Sequence, residues 1–123
     1  LALSAYKLSR KAEHICGSLY WESLNGDGSD ACRHYVWAIL MKNEFGKDVA
    51  KRILDAHESL PEQPSSDRTM DDANNTQGLN DAGQMSNEKT DKMILAQFQK
   101  GLEIGKIKIN RPIEWNVKPK EQK

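Results

Sequence analysis

Two histidines are spaced so that a single helical hairpin would bring them side by side. His34 lies 12 residues before Gly46, and His57 lies 11 residues after it. At about 1.5 Å of rise per residue, both imidazoles come about 16 to 18 Å from the turn if two antiparallel helices meet at Gly46. Each histidine shares a helical stripe with apolar residues, which predicts that both point to the seam between the helices. Imidazoles placed in this way can ligate a metal ion or transfer protons.

Charged side chains flank both histidines at the same end of the hairpin. Arg33 and Glu58 are next to them in sequence and come to matching heights, so the two side chains are expected to form an ion pair. Asp30 precedes His34 by one helical turn, where its carboxylate can orient the imidazole or cap the helix. We therefore expect a polar cluster at this end of the hairpin.

A polar stretch over residues 60–86 starts at this same end. It holds prolines, serines, asparagines and glycines with few apolar residues, which predicts a long ordered polar loop. Folded back over the hairpin, this loop would bring Asp71, Asn74 and Asn75 above the two histidines. Its side chains would then complete the cluster.

Two chemistries fit these residue types. In the first, His34, His57 and Asp71 bind one divalent metal ion that activates a water molecule, with Glu58 as the general base. In the second, a histidine or Glu58 performs general acid–base catalysis without a metal, while Arg33 and the two asparagines hold an anionic or carbonyl oxygen. The catalytic candidates are His34, His57, Glu58 and Asp71, and the substrate-binding candidates are Asp30, Arg33, Asn74 and Asn75. The non-catalytic alternative is a polar network that only pins the loop to the hairpin.

Helical periodicity predicts an all-α domain, a small bundle of about four helices. The second helix is expected to have Ser29 or Asp30 as its N-cap, and Gly46 is expected to end it. An alternation of isoleucine and lysine from residue 106 predicts a short extended C-terminal segment, and residues 117–123 are expected to fray. The predicted helices cover residues 5–19, 31–44, 47–59 and, after Asn87, to 104.

Composition limits the class of protein. With 123 residues, 37% of them hydrophobic and 29% charged, the chain is expected to form one domain over residues 1–123. Lys+Arg and Asp+Glu are 18 each, and the lack of a basic surplus argues against a nucleic-acid partner. No apolar run approaches the roughly 18 residues of a membrane span. The start at Leu1 is typical of a mature form or an excised domain.

The two cysteines allow two interpretations. Cys16 and Cys32 are most simply two small buried residues, because free cysteine is among the most buried residue types. One disulfide between them is the alternative in an oxidising compartment. The sequence has no CxxC motif, which argues against a structural zinc ribbon.

Three motifs in order resemble a group of small, uncharacterised bacterial domains. They are G-x-x-x-D-A-x-R-H-x-x-W at 26–37, H-E at 57–58 and M-D-x-x-N-N-x-x-G at 70–78, so the resemblance spans residues 26–78. Such domains occur at the C-terminal ends of secreted or cell-surface proteins, including effectors of the polymorphic-toxin kind. The resemblance implies a secreted or periplasmic protein with a cell-envelope substrate and an immunity or carrier protein as partner.

A second, shorter resemblance is to goose-type lysozymes and lytic transglycosylases. In those enzymes a helix-terminal Glu-Ser supplies the general acid, and a G-L-M-Q segment follows. This chain has Glu58-Ser59 and then Gly78-Leu79, but Asn80-Asp81 stands where that segment has Met-Gln. The resemblance implies glycan cleavage with Glu58 as general acid. The leading prediction remains an effector-type hydrolase that acts on a cell-envelope component.

Overall fold

Five α-helices make up the part of the chain that the structure describes. The computed structural model describes residues 2–17, 28–58, 65–85 and 90–109, and for 65–67 only the backbone. Within these ranges there is no strand, so the all-α prediction is confirmed, with five helices rather than about four. None of these helices is both long and apolar enough to cross a membrane. The helices are α1 (Ala2–Cys16), α2 (Gly28–Phe45), α3 (Lys47–Glu58), α4 (Ser65–Gln84) and α5 (Asp91–Glu103).

Helix α2 is the centre of the fold. It contacts α1, α3, α4 and α5. Tyr35, Val36, Ile39 and Met41 are completely inaccessible to solvent, so α2 is buried on more than one face. A helix that is apolar over most of its circumference is stable only when other helices cover it. The remaining helices are therefore arranged around α2.

The predicted hairpin is present between α2 and α3. Gly46 is the single residue between the two helices. Its φ is 86°, a backbone conformation that residues with a Cβ rarely adopt. The rings of His34 and His57 come within 6.1 Å of each other, so α3 runs back along α2. The other predicted helix ends agree within three residues where they are described. The predicted N-cap is wrong, because α2 begins at Gly28 and places Ser29 and Asp30 inside its first turn.

The predicted polar loop is wrong over residues 65–84, which form α4. The buried residues of α4 recur at helical spacing, but most of them are polar or glycine. The apolar periodicity that identifies a helix from sequence is therefore absent, although the helical burial pattern is present. Residues 60–64 and 86 of the predicted loop lie outside the described residues. The buried positions are Met70, Asp71, Asn74, Asn75, Gly78, Leu79 and Ala82.

The segment after α5 folds back onto the bundle. Gly105, with a φ of 76°, follows the end of α5. Ile107 is buried and packs at Gly101, where there is no side chain. The Asn74 side chain holds Lys108 by two backbone hydrogen bonds, accepting from N at 2.7 Å and donating to O at 2.8 Å. The predicted frayed tail, 117–123, lies outside the described residues.

A disulfide joins Cys16, at the end of α1, to Cys32 on α2. Both cysteines are buried, as predicted, but the expectation that they are free thiols is wrong. The bond holds the C-terminal end of α1 against Cys32, the residue that precedes Arg33 on α2. Nearer the start of α1, the Trp37 indole donates a hydrogen bond to the Ala5 carbonyl at 3.0 Å. Helix α1 is therefore attached to α2 at two places.

Candidate functional site

A buried group of polar side chains lies where α2, α3 and α4 meet. We call it the His34 cluster, and it consists of Asp30, His34, Glu58, Asp71 and Asn75. All five residues are less than 9% exposed. The first two turns of α2, the last residue of α3 and the buried stripe of α4 converge here. Five of the eight predicted site residues are thus brought together.

The Nδ1 side of the His34 ring faces Glu58 and Asn75. Nδ1 lies 3.2 Å from Glu58 Oε2 and 3.3 Å from Asn75 Oδ1. The Asn75 amide donates a second hydrogen bond, from Nδ2 to the same Glu58 Oε2, at 3.0 Å. With a proton on Nδ1, the ring can donate to Glu58 while Asn75 holds that carboxylate in place. This side of the ring is therefore occupied by groups that orient it.

The Nε2 side of the ring faces two aspartates. Nε2 lies 3.4 Å from Asp30 Oδ1 and 3.3 Å from Asp71 Oδ2. Arg33 Nη2 donates to the same Asp30 oxygen at 2.9 Å. The predicted ion pair between Arg33 and Glu58 is wrong, because each side chain finds a closer partner on α2 or α4. Helix geometry explains this, since Arg33 and Asp30 are three residues apart on one face.

The carboxylates control the charge of His34. Burial by itself would lower the pKa of the imidazole, because it penalises the charged ring. Hydrogen bonds with Asp30 and Glu58, together with the charge of Asp71, outweigh that penalty and raise the pKa to about 10. The cluster therefore favours a positive charge at this ring.

A cleft of about 500 Å³ opens beside the cluster, between α1, α2 and α3. Its polar wall contains Arg33, His34 and His57. His57 is exposed, and its ring meets the Trp37 ring edge-on at 5.2 Å. The apolar wall is made mainly by Ala2, Ala5, Tyr6, Trp37, Ile53 and Ala56. The arrangement can hold a molecule with an apolar part against α1 while a polar group meets the histidines.

Arg33, His34 and His57 are the predicted site residues that line this cleft. Asn74 and Glu58 have contacts in other directions. Asn74 is fully buried, and its amide binds the Lys108 backbone rather than the His34 cluster. Glu58 lines a different cavity, of about 450 Å³, together with Arg68 and Asp72. The general-acid role for Glu58 in glycan cleavage would require that second cavity, and it stays a prediction.

Sequence reasoning missed the contribution of α1 to the cleft. Tyr6 and Ala5 line it, and neither was connected to the histidines. The available signal was the cysteine pair, because a bond between residues 16 and 32 brings α1 against the start of α2. The free-thiol interpretation of the two cysteines carries no such signal.

The ligand types for a metal ion are present, although not in the predicted combination. Asp30, His34 and Asp71 each offer one atom, and these atoms lie within 4.8 Å of one another. The predicted set was His34, His57 and Asp71. The ring centroid of His57 lies 6.1 Å from that of His34, and its side chain is on the exposed side, in the cleft. In this geometry Asp30 takes the place predicted for His57.

The chain is similar to one known protein family. A family model described as a domain of unknown function (DUF6973) matches residues 1–106. No curated protein and no solved structure matches the chain. The matched range includes α1 to α5 and every residue of the His34 cluster.

Proposed function

Since the chain belongs to this family of domains of unknown function (DUF6973), we propose its function from the site: the protein is an exported bacterial hydrolase that acts on a cell-envelope component. The observation that carries the proposal is the cleft in which exposed His57 lies beside the buried, carboxylate-held His34. Concave sites with apolar walls and a few convergent polar groups are typical of small-substrate binding.

His57 is the group best placed to exchange protons with a bound substrate. Both ring nitrogens of His34 already face carboxylates, whereas His57 is exposed in the cleft. In the proposed reaction His57 acts as general base or acid on the attacking water and the leaving group. Glu58 contacts His34 and is a positioning residue.

Arg33 supports the developing negative charge in this proposal. Its Nη2 binds Asp30, and the side chain, 27% exposed, lines the cleft. A guanidinium fixed at the wall of a cleft can stabilise an anionic oxygen that forms during hydrolysis. The apolar wall on α1 would exclude water from the rest of the substrate.

The disulfide supports export. Disulfides persist in secreted and periplasmic proteins and are rare in a reducing cytosol. Together with the resemblance to domains of secreted effectors, it supports a toxin-type protein that acts outside the producing cytoplasm. An immunity or carrier protein is the expected partner.

The test is growth of a bacterial host during induced expression of the chain, with and without an export signal. We expect growth inhibition only with export, and we expect His57→Ala to remove it without changing the helical far-UV spectrum. His14→Ala is the matched control, because His14 is exposed on α1 and does not line the cleft. Inhibition that survives His57→Ala, or no inhibition by the exported wild-type chain, would overturn the proposal. The second outcome would favour a non-catalytic domain in which the buried network joins α2, α3 and α4.

A further inference from the structure

The oxygens that face His34 Nε2 have the spacing of metal ligands. They lie 3.4 Å (Asp30 Oδ1) and 3.3 Å (Asp71 Oδ2) from that nitrogen. A tetrahedral zinc ion bonds nitrogen and oxygen at about 2.0 to 2.2 Å, which separates its ligands by about 3.3 to 3.5 Å. The two separations from Nε2 therefore match those around one ion, and the three ligand atoms all lie within 4.8 Å of one another.

Outside this triangle of atoms, the neighbours of His34 and Asp30 are of the kind that orient ligands in metal sites. Glu58 Oε2 lies 3.2 Å from His34 Nδ1, which favours the tautomer with its proton on Nδ1 and its lone pair on Nε2. Asn75 fixes Glu58, and Arg33 fixes Asp30. Histidine ligands usually donate their second N–H to a carboxylate, and carboxylate ligands are usually hydrogen-bonded themselves.

We propose that Asp30, His34 and Asp71 bind one divalent metal ion, and that Glu58 positions His34 as its ligand. One imidazole nitrogen with two carboxylate oxygens suits Zn²⁺ best, because Mg²⁺ and Ca²⁺ favour oxygen ligands alone. Binding of the ion displaces any proton from Nε2. Three protein ligands leave a coordination position open, as in catalytic rather than structural zinc sites. Of the three proposed ligands, His34 is the one that lines the cleft.

The test is zinc binding by the full chain with its disulfide intact. After treatment with a chelator, the protein is titrated with Zn²⁺ by calorimetry, and bound metal is counted by mass spectrometry. We expect one ion per chain and a higher Tm in its presence. Absence of stoichiometric zinc on the wild-type chain would overturn the proposal.

Neighbouring aspartates on α4 provide a matched pair of variants. Asp71 is buried in the cluster, whereas Asp72, the next residue, is exposed. Asp71→Asn should weaken zinc binding about 100-fold or more, since it replaces an anionic carboxylate ligand with a neutral amide, and Asp72→Asn should leave it unchanged. Equal affinity in the two variants would place the bound zinc elsewhere and overturn the proposal.

A second variant covers the case in which Asp71→Asn does not fold. Glu58→Gln keeps an oxygen that can accept from His34 Nδ1 but removes the charge. Loss of such an outer contact weakens metal binding about 10- to 100-fold, whereas unchanged affinity would overturn the positioning role. Because zinc binding is measured without substrate, failure of the hydrolase proposal and failure of the metal proposal are distinguished.

Discussion

Asn74 shows how one side chain of α4 can stabilise the fold instead of the cleft. Its amide accepts from the Lys108 backbone N–H and donates to the Lys108 carbonyl, and it is fully buried. Asn74→Ala leaves both backbone groups of Lys108 without this partner. We expect unfolding in urea to show a loss of about 1–3 kcal/mol, since each of the two hydrogen bonds contributes about 0.5–1.5 kcal/mol.

The control for this prediction is Asn80→Ala on the same helix. Asn80 is exposed, so its replacement should change stability by no more than about 0.5 kcal/mol. Hydrogen exchange should also accelerate at the Lys108 amide in Asn74→Ala only. Equal stability of the two variants would contradict the structural role of Asn74.

The same asparagines show what could be predicted about the site residue by residue. The approach of His34 and His57 followed from helix rise and one glycine turn, both of which are readable from sequence. The choice between Asn74 and Asn75 was not readable. Only Asn75 reaches His34, because the two residues point about 100° apart once they belong to a helix. A loop prediction for residues 65–84 does not say in which direction each side chain points.

Helix α4 explains why the prediction failed at the element scale. Over residues 68–84 of α4, seven positions are buried, and four of them, Asp71, Asn74, Asn75 and Gly78, contribute no apolar side chain. Asp71 and Asn75 contact His34 on α2, and Asn74 binds the Lys108 backbone. Tertiary contacts therefore stabilise a helix that local propensity does not favour, since asparagine and glycine are weak helix formers.

Two glycines of α4 should respond in opposite directions to the same substitution. At Gly78 an added Cβ would lie 2.6 Å from the Tyr35 carbonyl oxygen and 2.9 Å from Ala38 Cβ. Gly78→Ala therefore pushes α4 away from α2, and we expect a loss of about 1–3 kcal/mol in thermal or urea unfolding. At Gly83 the nearest atom is Lys42 Cε at 3.9 Å, so Gly83→Ala should stabilise by up to about 1 kcal/mol.

This comparison separates helix propensity from packing. If propensity alone controlled α4, both alanine variants would be more stable than the wild-type chain. A gain in stability for Gly78→Ala would therefore contradict the close approach of α4 to α2.

At the scale of the whole molecule, α2 links the buried cluster to the cleft. Helix α4 covers the side of α2 that carries the Tyr35 carbonyl, and α1 and α3 form the cleft with Trp37 between them. The all-α class could be predicted because α1, α2 and α3 have apolar residues at helical spacing. The position of α1 depends on the disulfide and on Trp37, so the cysteine pair indicates it and helical periodicity does not.

Reduction of the disulfide should therefore loosen one wall of the cleft. Cys16 and Cys32 are 16 residues apart, and a bridge that closes such a loop stabilises a protein by about 3 kcal/mol in the chain-entropy model. We expect the reduced wild-type chain to unfold at lower urea concentration than the oxidised chain. The double variant Cys16→Ala/Cys32→Ala should be insensitive to reductant, which separates the effect of the bond from that of the reagent.

The loosening should be uneven along α1. Trp37 still donates to the Ala5 carbonyl after reduction, so the N-terminal half of α1 keeps one attachment to α2. Backbone hydrogen exchange should therefore accelerate more near Ile15 than near Ser9, as measured by NMR on oxidised and reduced samples. Uniform acceleration along α1 would show that the helix detaches as a unit, and equal unfolding midpoints would show that the disulfide does not stabilise the cleft.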